Sequence, residues 1–204
     1  MPKVKELLFD CDNTLVLSED IAFESCAQLA NEVLAQHGVA GASRYDGASL
    51  QREFVGMGFR GQLGRLQEKH GFTMAADEVQ RYVDRELGRT IENLEKDCEA
   101  CEGVDPVLER LAAERRLGLA IVSSSHLSRV EASIRKTGQD RFFPHDRVFS
   151  AQSSLDPPSS KPDPAIYLFA CEKLGVEPKE CIAIEDSKSG KIGVHPSPIA
   201  TRHD

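Results

Sequence analysis

Residues 5–14 read Lys5-Glu6-Leu7-Leu8-Phe9-Asp10-Cys11-Asp12-Asn13-Thr14. Lys5–Phe9 has the look of a short apolar strand that stops at an aspartate, with a second aspartate two residues on. Either carboxylate alone is an ordinary turn or cap residue. Together, directly after a buried strand, they repel each other unless a cation or a proton intervenes. Far along the chain, Cys181-Ile-Ala-Ile184 runs into Glu185-Asp186 and repeats the arrangement. Four carboxylates at two strand ends point to a hard divalent cation. Mg²⁺ is the expected one, since it takes oxygen ligands and pairs readily with phosphate.

Outward from these two strands the chain reads as a split α/β protein. From Ser18 to about His37, Ile21, Phe23, Cys26, Leu29, Ala30, Val33 and Leu34 recur near helical spacing. Shorter helices are expected at Ser49–Phe54 and at Phe59–His70, the latter closed by Gly71. A longer one is expected from Asp77 to about Leu94. Residues 17–96 therefore read as all-helical. The pattern then changes. Asp105-Pro106 opens a helix, with proline at its first position. Leu119–Val122 is a compact apolar strand followed by Ser123-Ser124-Ser125, and Leu127–Gly138 is a helix. Arg147–Ser150 is a strand, Ser153–Ser160 a Pro/Ser loop, Pro162–Leu174 a helix and Cys181–Ile184 a strand. Strands alternating with helices indicate a parallel sheet. In such sheets the ligand sits at the carboxyl ends of the strands. Asp10, Asp12, Ser123, Glu185 and Asp186 all fall at those ends.

Bulk properties exclude several classes. Acidic residues outnumber basic ones, 33 to 25, for a net charge of −8, which argues against nucleic acid as the main partner. No apolar run reaches the ~18 residues that span a bilayer. The first ten residues lack the apolar stretch of a secretory signal. The expectation is a cytoplasmic protein without a membrane partner, a monomer in preference to an oligomer. The six cysteines are scattered, and 204 residues need no disulfide framework. Cys98 and Cys101 form a single CxxC, without the second pair that a structural zinc site needs. They read as two reduced, semi-buried thiols.

Ser123 ends the central strand, where a hydroxyl and the backbone N–H groups opening the next helix can cradle an anion. Lys161 stands near a helix start, a position mildly unfavourable for a cation and so better suited to one that meets a phosphate.

Asp10-x-Asp12-x-Thr14, Ser123 after a hydrophobic strand, Lys161-Pro162-Asp163-Pro164, and Glu185-Asp186-Ser187-x-x-Gly190 resemble the four ordered motifs of the haloacid dehalogenase-like hydrolase superfamily. The helical stretch after the first motif resembles the cap of the phosphoglycolate phosphatase and β-phosphoglucomutase branch. The resemblance runs over nearly the whole chain to Gly190. It implies a Rossmann-like parallel-sheet core (residues 1–16 and 97–204) carrying the chemistry, with residues 17–96 as an inserted all-helical cap. The cap would close over the site, exclude water and set specificity. The implied activity is that of a phosphatase of a small phosphorylated metabolite, a sugar, polyol or glycolate phosphate. Asp10 would be the nucleophile that forms an aspartyl-phosphate, and Asp12 the general acid and then base. Mg²⁺ would be held by Asp10, the backbone carbonyl of Asp12, and Asp186, with Glu185 assisting. Ser123, Lys161 and backbone N–H groups including that of Ser124 would bind the phosphoryl oxygens.

Other branches fit less well. The dehalogenases lack the second motif-one aspartate. The phosphonatases use a cap lysine as a Schiff base, and the only lysine between Asp20 and Leu94 is Lys69, read as solvated. The sugar-phosphate mutases carry a histidine early in the cap, and Ser18-Glu-Asp-Ile-Ala22 has none. Mutase is the second reading. Arg60, after Gly56-Met-Gly-Phe, is a candidate for substrate contact or a surface residue. Ser125 and His126 border the phosphate site, with His126 read as a helix-start residue. After Gly190 the family's amphipathic helix is missing. Lys191–Val194 is left as a candidate edge strand, and a catalytically impaired relic is a further alternative.

Overall fold

The computed structural model describes residues 3–39, 44–54, 57–186 and 200–201. The sheet grows from β1 (Glu6–Phe9), buried along its whole length. On one side β1 pairs with β4 (Gly118–Ser123), on the other with β6 (Cys181–Ile184), both parallel, so that Leu8 lies between Ala120 and Ala183. Beyond β4 lies β5 (Val148–Ser150), and beyond β6 lies β7 (Ala200–Thr201), giving the order β5-β4-β1-β6-β7. A wholly parallel sheet is stable only with both faces covered, which is why its central strands are continuous apolar runs. On one face Leu8, Ala120, Val122, Phe149 and Ala183 pack with Ile166, Tyr167, Ala170 and Cys171 of α7 (Ala165–Leu174). Phe9 meets Phe143 edge to face, ring centroids 5.9 Å apart. Truncating a fully buried leucine such as Leu8 to alanine would cost about 2–5 kcal/mol.

At the N-terminal end of β1, Glu6 is buried and paired with Arg147, whose Nη1 donates to Oε2 at 2.9 Å. A β-carbon at Gly118 would run into the Glu6 carboxylate and force it to shift. Isolated buried charges are costly, so this end is closed by an ion pair. The opposite end of the sheet holds Asp10, Asp12, Ser123, Glu185 and Asp186.

The chain divides into two compact units, Met1–Leu17 with Cys98–Asp204, and Ser18–Asp97. The second unit consists of α1 (Glu19–Gln36), α2 (Gly47–Glu53), α3 (Phe59–His70) and α4 (Ala76–Asp97). Its core gathers Leu29, Val33, Leu50, Leu63, Leu66 and Tyr82. Helix α2 begins at Gly47 rather than at Ser49, because Asp46 and Ser49 cap each other reciprocally. Gly71, in the left-handed region at φ 70°, closes α3.

Three features of the first unit depart from the sequence reading. Residues 16–17 and 99–100 form a two-stranded antiparallel ribbon, β2 (Val16–Leu17) and β3 (Glu99–Ala100). Cys98, directly after α4, and Cys101 flank this ribbon, and two-residue strands carry no periodicity to read. Helix α5 (Val104–Glu114) starts one residue before Asp105, with Pro106 in a first turn whose N–H groups need no helical partner. Helix α7 begins at Ala165, not Pro162. A residue before proline avoids the helical region, which keeps Lys161 and Asp163 out of the helix, and the Asp163 side chain instead accepts from the Ala165 amide at 2.9 Å. The candidate edge strand at Lys191–Val194 and the missing helix after Gly190 lie outside the described residues. The described edge strand is Ala200–Thr201, next to β6. Among the described residues no helix is long and apolar enough to cross a membrane.

Candidate active site

The site begins where β1 stops. The Asp10 amide donates to the Ile184 carbonyl at 2.9 Å, extending the ladder one residue past the strand. The chain then turns tightly: the Leu15 amide donates to the Cys11 carbonyl at 2.9 Å and the Asn13 amide to the Val16 carbonyl at 2.8 Å. Asn13 holds φ 59°, a left-handed conformation that asparagine tolerates better than most residues. Thr14 Oγ1 donates to Asp10 Oδ2 at 3.4 Å. Asn13 and Thr14 thus shape the turn, as their positions suggest.

Lys161 comes from the loop ahead of α7. Its ammonium donates to Asp10 Oδ1 at 2.6 Å and to Glu185 Oε1 at 2.5 Å, and its side chain is 4 % exposed. One buried cation therefore bridges the carboxylates at the ends of two adjacent strands. The Lys161 amide donates to Ser124 Oγ at 3.1 Å, so the serine turn after β4 fixes the lysine loop. Tyr167 O–H also donates to Glu185 Oε1, and the Lys161 ammonium lies 5.2 Å from the centre of the Tyr167 ring. Asp12 faces the serine turn: Ser125 Oγ donates to its Oδ2 at 2.7 Å, while Ser123 Oγ lies 3.5 Å away and accepts the Ser125 amide. The two motif-one aspartates are therefore differently placed, Asp10 against a lysine and Asp12 against hydroxyls.

Burial pushes the Asp10 carboxyl up to about 7 against the pull of Lys161, and Glu185 and Asp12 add to the rise. The Tyr167 phenol is driven well above its ordinary value by burial and the Glu185 charge, so it stays a donor. Burial likewise raises the Cys11 thiol, with Asp12 and Asp10 adding to it. A thiol so held is no nucleophile, and Cys11 offers its backbone only.

Carboxylate oxygens of Asp10, Glu185 and Asp186 lie within 4.8 Å of one another. Glu185 Oε2 is buried and has no hydrogen-bond partner among the described residues. An all-oxygen donor set with an orphaned buried carboxylate oxygen suits a hard divalent cation. The Asp12 carboxylate is not in this cluster.

The family model for the haloacid dehalogenase-like hydrolases matches residues 4–191. The chain belongs to that family. This hydrolase is 27 % identical over 190 residues to the 6-phosphogluconate phosphatase of Escherichia coli K12, covering 93 % of this chain and 77 % of that protein. It is 27 % identical over 187 residues to the phosphorylated carbohydrates phosphatase of Thermotoga maritima, covering 92 % and 78 %. Among solved structures, a HAD family hydrolase from Deinococcus radiodurans R1 with bound phosphate and sodium is similar at a TM-score of 0.69. That match has 27 % identity and covers 98 % of this chain and 80 % of the other.

All of the residues singled out in this hydrolase's four motifs up to Asp186 come to the carboxyl ends of β1, β4 and β6 or the loop before α7. Ser187 and Gly190 lie outside the described residues, as does Gly56. His126 caps α6 (Leu127–Lys136), its Nδ1 accepting the Ser128 amide at 3.3 Å, which is the helix-start role read from the sequence. Arg60 is exposed and donates to Gln80. Lys69 is not merely solvated: it donates to Glu53 at 2.5 Å and to the Tyr45 hydroxyl at 2.9 Å, and these bonds raise its pKa. An amine held protonated is a poor imine former. Tyr167 was not legible as a site residue. Its only signal was a phenol on the buried face of α7, where a polar tip needs a partner.

Proposed function

We propose that the chain is a cytoplasmic, Mg²⁺-dependent phosphatase of a small phosphorylated metabolite, a sugar, polyol or glycolate phosphate, working through an aspartyl-phosphate at Asp10. The observation that carries this reading is the buried Lys161 ammonium bridging Asp10 and Glu185 at the carboxyl ends of parallel strands. The two named relatives act on 6-phosphogluconate and on phosphorylated carbohydrates, which supports the substrate class. Six free thiols suit a reducing compartment. The α/β unit holds the chemistry, and the helical unit is the cap that selects the substrate.

An Asp10 carboxylate oxygen attacks phosphorus in line. The new O–P bond forms as the bond to the leaving alcohol breaks, and Asp12 delivers its proton to that alcohol. Asp12 then takes a proton from a water that attacks the aspartyl-phosphate, releasing phosphate and restoring Asp10. Ser125 orients Asp12 for both transfers. Lys161 redirects its N–H donors to the phosphoryl oxygens, together with Ser123 and the backbone N–H of Ser124, and offsets the charge that builds in the transition state. Asp10, Asp186, Glu185 and the Asp12 carbonyl would hold Mg²⁺. When bound, it neutralises phosphate charge and keeps Asp10 ionised.

The test is release of inorganic phosphate from a panel of phosphorylated sugars, polyols and glycolate, with Mg²⁺ and with excess chelator. Turnover of at least one substrate in Mg²⁺ alone is expected. Folded protein that turns over none, or works equally well in chelator, overturns the reading.

A further inference from the structure

We infer that Tyr167 is a positioning residue for the divalent cation, holding the Glu185 carboxylate so that Oε2 remains the oxygen available to the ion. The inference rests on the cation site proposed above and concerns how that site is kept in order. Glu185 Oε1 is occupied twice, by the Tyr167 hydroxyl and by the Lys161 ammonium at 2.5 Å. Oε2, equally buried, has no hydrogen-bond partner among the described residues. Such a division is costly for an ionised carboxylate unless something positive completes it.

The two donors to Oε1 are not equivalent. Lys161 also binds Asp10 and stands where a phosphoryl group would draw its N–H bonds away. Tyr167 has no such alternative. Its side chain is fully buried, its ring packs in the cluster that holds Leu8, Ala120 and Ala183, and its hydroxyl reaches from α7 to the end of β6. A ring locked by packing leaves the phenol one direction to point. When Lys161 turns to substrate, Tyr167 is the one remaining donor among the described residues that keeps Glu185 from rotating Oε2 out of the cluster with Asp10 and Asp186. Outer partners that orient a metal ligand in this way typically account for about 10–100-fold in affinity.

Tyr167→Phe keeps the ring and removes only the hydroxyl. Binding of Mn²⁺ alone, counted from the EPR signal of the free ion, is expected to weaken about 10-fold or more. The Mg²⁺ concentration for half-maximal turnover should rise in parallel, while kcat at saturating Mg²⁺ stays close to the parent's. In a Glu185→Gln background the same substitution should leave Mn²⁺ binding unchanged, because the hydroxyl acts through that carboxylate. Equal Mn²⁺ affinity in parent and Tyr167→Phe overturns the inference, as does an undiminished effect in the Glu185→Gln background. A parent that binds no Mn²⁺ is a different result. It removes the cation site itself and this inference with it.

Discussion

Asp10→Asn should stabilise the metal-free protein while removing its activity, and the gain should depend on pH. Asp10 is 7 % exposed, and burial raises its carboxyl from an ordinary 3.8 to about 7. The folded state therefore binds a proton that the unfolded chain has already released, and stability falls as pH rises from about 4 to about 7. At about 1.4 kcal/mol for each pH step of one, the ionised carboxylate costs the fold about 4 kcal/mol by about pH 8. Asparagine, neutral throughout, removes that cost. For a chain of this length about 4 kcal/mol corresponds to roughly 8–16 °C in Tm. Thermal melts of both proteins in chelator should show the variant well above the parent at about pH 8, with the gap shrinking to below about 1 kcal/mol near pH 4. Added Mg²⁺ should raise the parent more than the variant, since it binds the ionised form. Equal melting at about pH 8, or a less stable variant, would refute the reasoning. It would mean that Lys161 compensates the buried charge in full.

Asp12→Asn should fold normally and lose about 10²–10⁴-fold in turnover, read from phosphate release. Lys161→Met should weaken inhibition by phosphate or vanadate about 10–100-fold, the value of a charge-assisted hydrogen bond. Unchanged inhibition would leave the lysine without a role at phosphorus. Gly118→Ala should destabilise the α/β unit by about 1–3 kcal/mol in urea, because its methyl displaces the Glu6 carboxylate from Arg147.

The parts of the site that lie next to an apolar strand were legible in the sequence. Leu7-Leu8-Phe9 and Ile182-Ala183-Ile184 mark buried strands by composition alone, so the acids after them could be placed at one sheet edge. The pairing that brings those acids together could not be read, because β1 lies between β4 and β6, strands more than a hundred residues further along the chain. Lys161 is legible by its motif, but the sequence makes its loop look like a helix start, whereas α7 begins at Ala165. Periodicity runs through Pro162 and Pro164, whereas the backbone at the preceding residues does not. The ribbon of β2 and β3 is too short to leave a pattern. Tyr167 is hidden for another reason: at helical spacing among Ile166, Ala170 and Cys171 it is indistinguishable from a core aromatic until Glu185 is seen beside it.

In the proposed reaction the phosphoryl group passes to Asp10 before water receives it. The direct measurement is a rapid acid quench of enzyme in excess over a turned-over sugar phosphate, in Mg²⁺, followed by peptide mass spectrometry across a series of quench times. A phosphoryl adduct on Asp10 is expected to rise before inorganic phosphate appears and to decay as phosphate is released. Phosphate formed at every quench time with Asp10 unmodified, or an adduct on any other residue, would contradict it.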